Sequence, residues 1–119
     1  MRSNSWEIFN ADNSASSDGV AQNVNQVVSA SFQVTSGDTD IDGTLKIQMS
    51  NDAPPNGNLT PGFEPTNWSD ISGATTTITN GVAGPIVIAN MCFSFIRATL
   101  TAATPGSSTT VVRMNVLSV

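Results

Sequence analysis

The sequence predicts an all-β chain, an antiparallel β-sandwich or jelly roll of seven or eight short strands behind an extended N-terminal arm. Three observations carry this. Apolar residues recur with a period of two in several runs, and no window shows a 3.6-residue period. The periodic runs are dominated by β-branched residues. Between them stand clusters of Gly, Pro, Asp, Asn and Ser, the residues that turns require.

The 119 residues make one domain, divided into an arm over residues 1–25 and a sandwich over 26–119. Residues 10–19, NADNSASSDG, contain no apolar side chain larger than Ala, which reads as loop or extended arm. Ahead of them Trp6, Ile8 and Phe9 form a short apolar patch, a first strand or an anchor docking on another subunit. In the next run Val28, Ala30, Phe32 and Val34 alternate with Ser29, Ser31, Gln33 and Thr35, a half-buried strand with a hydroxyl-rich outer face. The turn-rich stretch 36–43 leads to Leu45, Ile47 and Met49, alternating with Lys46, Gln48 and Ser50. These two runs are expected to form a hairpin.

Residues 51–67 hold Pro54, Pro55, Pro61 and Pro65, and proline excludes both helix and central strand. A long loop is expected, and such loops often carry function. Trp68 and Ile71 mark a short strand, residues 75–79 a β-branched run, and residues 86–88 another. In residues 92–102 the set Cys92, Ile96, Ala98 and Leu100 alternates with Phe93, Phe95, Arg97 and Thr99. After a TPGSS turn, Val112, Met114 and Val116 alternate with Val111, Arg113 and Asn115.

Composition narrows the function. Charged residues are 11% of the chain, against about 25% in ordinary soluble proteins. The formal charge is −5, from nine acids and four bases, with no His. The scattered bases argue against nucleic-acid binding, which needs clustered Lys and Arg. The longest nearly apolar stretch, residues 84–89, is far short of the ~20 residues of a membrane span, so no membrane partner is expected, nor any leader behind Arg2. A lone Cys92 and the absence of His remove the common zinc sites and the Ser-His and Cys-His nucleophile systems. The chain is expected not to be an enzyme.

Ser, Thr and Asn together number 41. Polarity therefore comes from hydroxyls and amides, and a surface short of ions suits coverage by neighbouring subunits, because charge is depleted at interface cores. Trp6, Ile8, Phe9, Phe93, Phe95, Arg97 and Arg113 are the expected interface residues. If the last two runs pair, one sheet face carries both Arg97 and Arg113 among the aromatics, and Arg and aromatics are enriched in interface hot spots.

Two further patterns point to ligands. Asp38, Asp40 and Asp42 stand at i, i+2 and i+4 before Gly43, the spacing that opens an EF-hand loop. Met49 occupies the place of the bidentate Glu, so a calcium site would need main-chain carbonyls or another loop to complete it. Otherwise this is a solvated Asp-Gly turn and no cofactor is expected. Trp68, flanked by Asn67 and Asp70, would stack on a sugar ring while the amide and the carboxylate reach its hydroxyls; alternatively Trp68 packs at the sandwich edge.

The order LKIQMSND, TNWSDI and CFSFIRATL resembles small β-sandwich structural proteins of tailed bacteriophages, of the capsid decoration, head-fibre and tail accessory types. It is also similar to galactose-binding-like jelly rolls, where a strand ending in Ser-x-Asp leads to a Trp and a later strand carries Arg. The first resemblance implies a virion structural protein made in a host cytoplasm. It would cement a particle as a homo-oligomer, a trimer being the expected symmetry, against the major capsid or other virion proteins. The second implies a carbohydrate-binding or host-adhesion module.

Overall fold

The computed structural model describes residues 2–53 and 62–119, and all regular elements among them are strands. They are β1 (Arg2–Asp12), β2 (Ser17–Asp18), β3 (Gln22–Asn23), β4 (Val27–Ser36), β5 (Asp42–Ser50), β6 (Ser69–Ile78), β7 (Ile86–Ile88), β8 (Phe95–Thr104) and β9 (Thr109–Ser118). Pro54, Pro55 and Pro61 of the expected proline-rich loop lie outside the described residues.

The strands form two antiparallel sheets. One has the order β1-β9-β4-β7, and the other the order β2-β8-β5-β6 with β3 also paired to β8. Because β2 and β3 meet the same partner, at Ser17↔Leu100 and Gln22↔Ile96, they act as one interrupted strand. Counted so, there are four strands per sheet. Every connection except the β5–β6 hairpin then crosses between the sheets, and the first strand lies beside the last. This is a jelly roll.

Period two foretold which side chains face inward. Phe32, Val34, Leu45, Ile47, Ile96, Leu100, Val112 and Met114 are all buried between the sheets. Fully burying one such side chain contributes about 1.5–3 kcal/mol. Pairing differs from expectation in three places. The β4 and β5 runs form no hairpin: β4 lies between β9 and β7, while β5 lies between β8 and β6. Likewise β8 and β9 occupy different sheets. The segment expected as an arm supplies β1, β2 and β3, because its apolar residues belong to the shared core: Ile8, Phe9 and Val24 are buried.

The burial of both Ile8 and Phe9, adjacent residues, follows from a bulge. Glu7 pairs with Arg113 and Phe9 with Val112, leaving Ile8 as the extra residue. One extra residue resets the alternation, so the inward set changes from Trp6 and Ile8 to Phe9 and Ala11. A tight reversal follows β6: Asn80 and Gly81 take φ of 51° and 76° between Thr79 and Val82, which exchange two backbone hydrogen bonds. This is the type I′ geometry that Asn-Gly favours. Gly81 is required there, because a Cβ would collide with the carbonyl oxygen of Asp38.

One polar side chain ties three connections together. Asn13 is fully buried. Its Nδ2 donates to Ser36 Oγ at 3.1 Å and to Asp38 Oδ2 at 3.0 Å, and its Oδ1 accepts from Thr110 Oγ1 at 2.6 Å. Its backbone N–H donates to the Ser108 carbonyl, and its own carbonyl accepts from Gly106. The β1–β2, β4–β5 and β8–β9 connections therefore meet at a single carboxamide.

Candidate functional site

Two surfaces gather the side chains singled out in the sequence. The first is the outer face of the sheet containing β5 and β8. Inward Leu45 and Ile47 leave Lys46 and Gln48 facing out, and the register sets Gln48 opposite both Arg97 of β8 and Asp70 of β6. A polar chain results. Arg97 Nε donates to Gln48 Oε1 at 2.9 Å, Gln48 Nε2 donates to Asp70 Oδ1 at 2.9 Å, and Lys46 Nζ reaches Asp70 Oδ2 at 3.2 Å. The hydrogen bond from Gln48, then that from Lys46, holds the Asp70 carboxyl below its ordinary pKa. Asp18 of β2 lies 3.7 Å from Arg97 Nη1.

Residues 62–68 fold across this face. The Arg97 guanidinium carbon sits 4.5 Å from the Trp68 ring centroid, a cation–π contact. Phe63 meets Phe95 with ring centroids 5.8 Å apart, which is why Phe95 is buried despite its outward parity. Trp68 Nε1 donates to the Pro65 carbonyl. The segment is tied down by Asp52, whose carboxylate accepts from the backbone N–H groups of Thr66 and Asn67 and from Asn67 Nδ2 at 2.7, 2.9 and 3.0 Å. Those bonds, led by Asn67, pull its pKa down to about 2.

Trp68, Asn67 and Asp70, the residues expected to hold a sugar, are thus brought to one region with their polar groups engaged by protein. They brace a loop on a sheet. Gln48 and Asp52, which make most of these bonds, were not among the sequence candidates; only the outward parity of Gln48 was visible beforehand.

The second surface is the outer face of the β1-β9-β4-β7 sheet. Its register places Ser3 beside Leu117, Ser5 beside Asn115, and Glu7 beside Arg113. Across β9, Ser29 and Ser31 of β4 meet Leu117 and Asn115, and Ser31 meets Val87 of β7. Half of this face therefore carries only hydroxyls, one amide and two apolar side chains. Val87 is 67% exposed and Leu117 36%. Its charges, Glu7, Arg113 and Asp12, sit toward the other half.

The remaining candidates separate. Arg97 and Arg113 do not share a face, because their strands lie in different sheets. Ile8 and Phe9 are core residues, so their expected role at an interface is replaced by packing within the chain. Trp6 and Phe93 are half-buried against the same core. Asp38, Asp40 and Asp42 do not converge, and no group of three His, Cys, Asp or Glu side chains does so among the described residues. Asp38 turns instead to Asn13, Ser107 and Ser108, which lower its pKa with Asn13 the largest cause, and Asp42 accepts from the Asn80 N–H. The curl of an EF-hand loop is missing because Asp42 already belongs to β5.

No protein-family model matches the chain, and no curated protein matches it. Its fold is similar to that in the crystal structure of the SPBc2 prophage-derived protein YomS. The TM-score is 0.50 at 16% identity, over 98% of this chain and 94% of that one. The likeness is one of fold.

Proposed function

We propose that the protein is a non-enzymatic structural component of a phage particle, a decoration, cement or accessory subunit in the virion. It would act through contacts among its own copies, with a trimer as the expected symmetry, and with capsid or other virion proteins. The observation that carries this reading is the uncharged half of the β1-β9-β4-β7 outer face. Val87 and Leu117 protrude there from a bed of Ser3, Ser29, Ser31 and Asn115. Interface cores are depleted in charge, and exposed apolar patches mark association sites. The prophage origin of the similar structure supports a phage setting. A standard interface buries about 1,600 Å², and repetition over a particle lattice adds avidity.

Sedimentation velocity of the full chain over a range of concentrations tests the reading. The native protein should form a discrete oligomer. The paired substitution Val87→Lys, Leu117→Lys should give monomers with an unchanged melting temperature, since neither side chain enters the core. A native protein monomeric at every concentration overturns the reading, as does a variant that assembles like the native chain.

A further inference from the structure

A cleft opens at the end of the sandwich where Asn4 pairs with Val116, on the inward side of β1 and β9, and its described lining is uncharged. It arises because the inward positions of β1 and β9 continue past the end of the core. Along β9 the inward residues run Met114, Val116 and Ser118; along β1 they run Trp6 and then Asn4, paired to Met114 and Val116. The apolar series thus ends in an amide and a hydroxyl. The facing wall is the chain turning from β3 into β4, which supplies Asn23, Asn25 and Gln26. Val27 and Val116 complete an open cleft of about 570 Å³, inside the ~300–1,000 Å³ range of small-molecule sites.

We infer that this cleft between β1, β9 and the β3–β4 turn is a binding site for a neutral saccharide. The backbone of the turn is set in advance. Val24 donates to the Ser94 carbonyl, Val27 to the Val24 carbonyl, and Val119 to the Gln26 carbonyl, at 2.9, 3.0 and 3.0 Å. Asn23 Oδ1 accepts from the Asn25 N–H, and Trp6 Nε1 donates to Gln22 Oε1. By contrast, the side chains of Asn25 and Gln26 and the Nδ2 of Asn4 make no hydrogen bond to another described residue. The fixed backbone lowers the ordering cost of binding, and the unengaged amides are free to hydrogen-bond a ligand.

The lining selects the chemistry. A carboxamide offers a donor and an acceptor together, and so matches a hydroxyl, which is both. Four carboxamides and the Ser118 hydroxyl surround an indole and two valines, which suit the apolar C–H face of a sugar ring. None of the described lining residues is charged, and the net charge of −5 opposes anions. An extended peptide would add along the free outer edge of β1 and engage backbone groups rather than these side-chain amides, so it is kept as the rival occupant in the test. The inference does not rest on the oligomer reading.

The test is a ¹⁵N-detected titration of the full chain. The probes are glucose, galactose, N-acetylglucosamine and their short oligomers, with galacturonic acid as the anionic control and a peptide copying residues 2–12 as the rival occupant. At least one neutral sugar should shift the side-chain amide signals of Asn4, Asn25 and Gln26 and leave those of Gln48 and Asn67 in place. Asn25→Ala and Gln26→Ala, both exposed and expected to fold normally, should each weaken that sugar's binding roughly three- to tenfold, the worth of one hydrogen bond. The inference is overturned if no neutral sugar moves these signals, if galacturonic acid or the peptide alone does so, or if binding survives both substitutions.

Discussion

Replacing Asn13 by Ala removes the carboxamide at which three connections meet, and the structure sets the size of the effect. The Thr110 hydroxyl is fully buried and donates only to Asn13 Oδ1; without it, the hydroxyl is stranded, at about 1–3 kcal/mol. The neutral bond to Ser36 Oγ adds about 0.5–1.5 kcal/mol. Asp38 replaces its lost donor with water, so that bond contributes little to the difference. The expected destabilisation is about 2–4 kcal/mol, a fall in melting temperature of about 10–15 °C for a domain of this size. Thermal and urea denaturation followed by far-ultraviolet circular dichroism measures it. A double-mutant cycle locates the cause: Thr110→Val in the Asn13→Ala background removes the stranded hydroxyl, so the pair should cost no more than Asn13→Ala alone. An Asn13→Ala variant melting within about 1 kcal/mol of the native protein, or strictly additive substitutions, would refute the idea that this buried amide organises the connections.

Three other outcomes follow from the same geometry. Asp52 is held at a pKa of about 2 against an ordinary 3.8; a carboxyl depressed by folding stabilises the native state above its unfolded pKa, and that contribution disappears as pH falls from about 4 to about 2. Asp52→Asn should flatten this part of the urea-midpoint profile, and an unchanged acid limb counts against Asp52 as the tie for residues 62–68. Arg97→Gln strips the guanidinium from the Trp68 ring and from Gln48 Oε1 and should cost about 1–2 kcal/mol, a partly exposed cation–π contact plus one hydrogen bond, with a measurable change in tryptophan emission; unaltered emission would mean the pair is not formed. Deleting residues 2–12 removes a neighbour of β9 together with Ile8 and Phe9, and should abolish the cooperative melt, whereas a truncated chain with dispersed amide resonances would show β1 to be dispensable.

Period two identified the core faces of β4, β5, β8 and β9 because alternation reports which side of a strand meets apolar neighbours. It says nothing about which strand lies alongside. The β4 and β5 runs, adjacent in sequence, therefore looked like a hairpin, and Arg97 and Arg113 looked like companions. In a jelly roll most neighbours are remote along the chain. Residues 10–19 read as loop because they hold no apolar side chain larger than Ala, yet Asn13 among them is buried through partners as distant as Thr110. Asp52 was equally silent, since its work depends on a segment returning to it at Thr66 and Asn67. The Asp38, Asp40 and Asp42 spacing implied convergence, but two of those carboxylates are claimed by Asn13 and Asn80.

The place of β9 between β1 and β4 bears on how the chain acquires its shape during synthesis. This inner strand is synthesised after β1 and β4, so they have no partner between them until it emerges. Phe32 and Phe9 wait uncovered through that interval. Long-range pairings of this kind fold slowly, and uncovered apolar strands in a crowded cytosol are prone to stick to other nascent chains. A chain halted just short of residue 109 would lack an inner strand rather than an edge, and so should be caught by chaperones or proteases instead of persisting as a folded fragment.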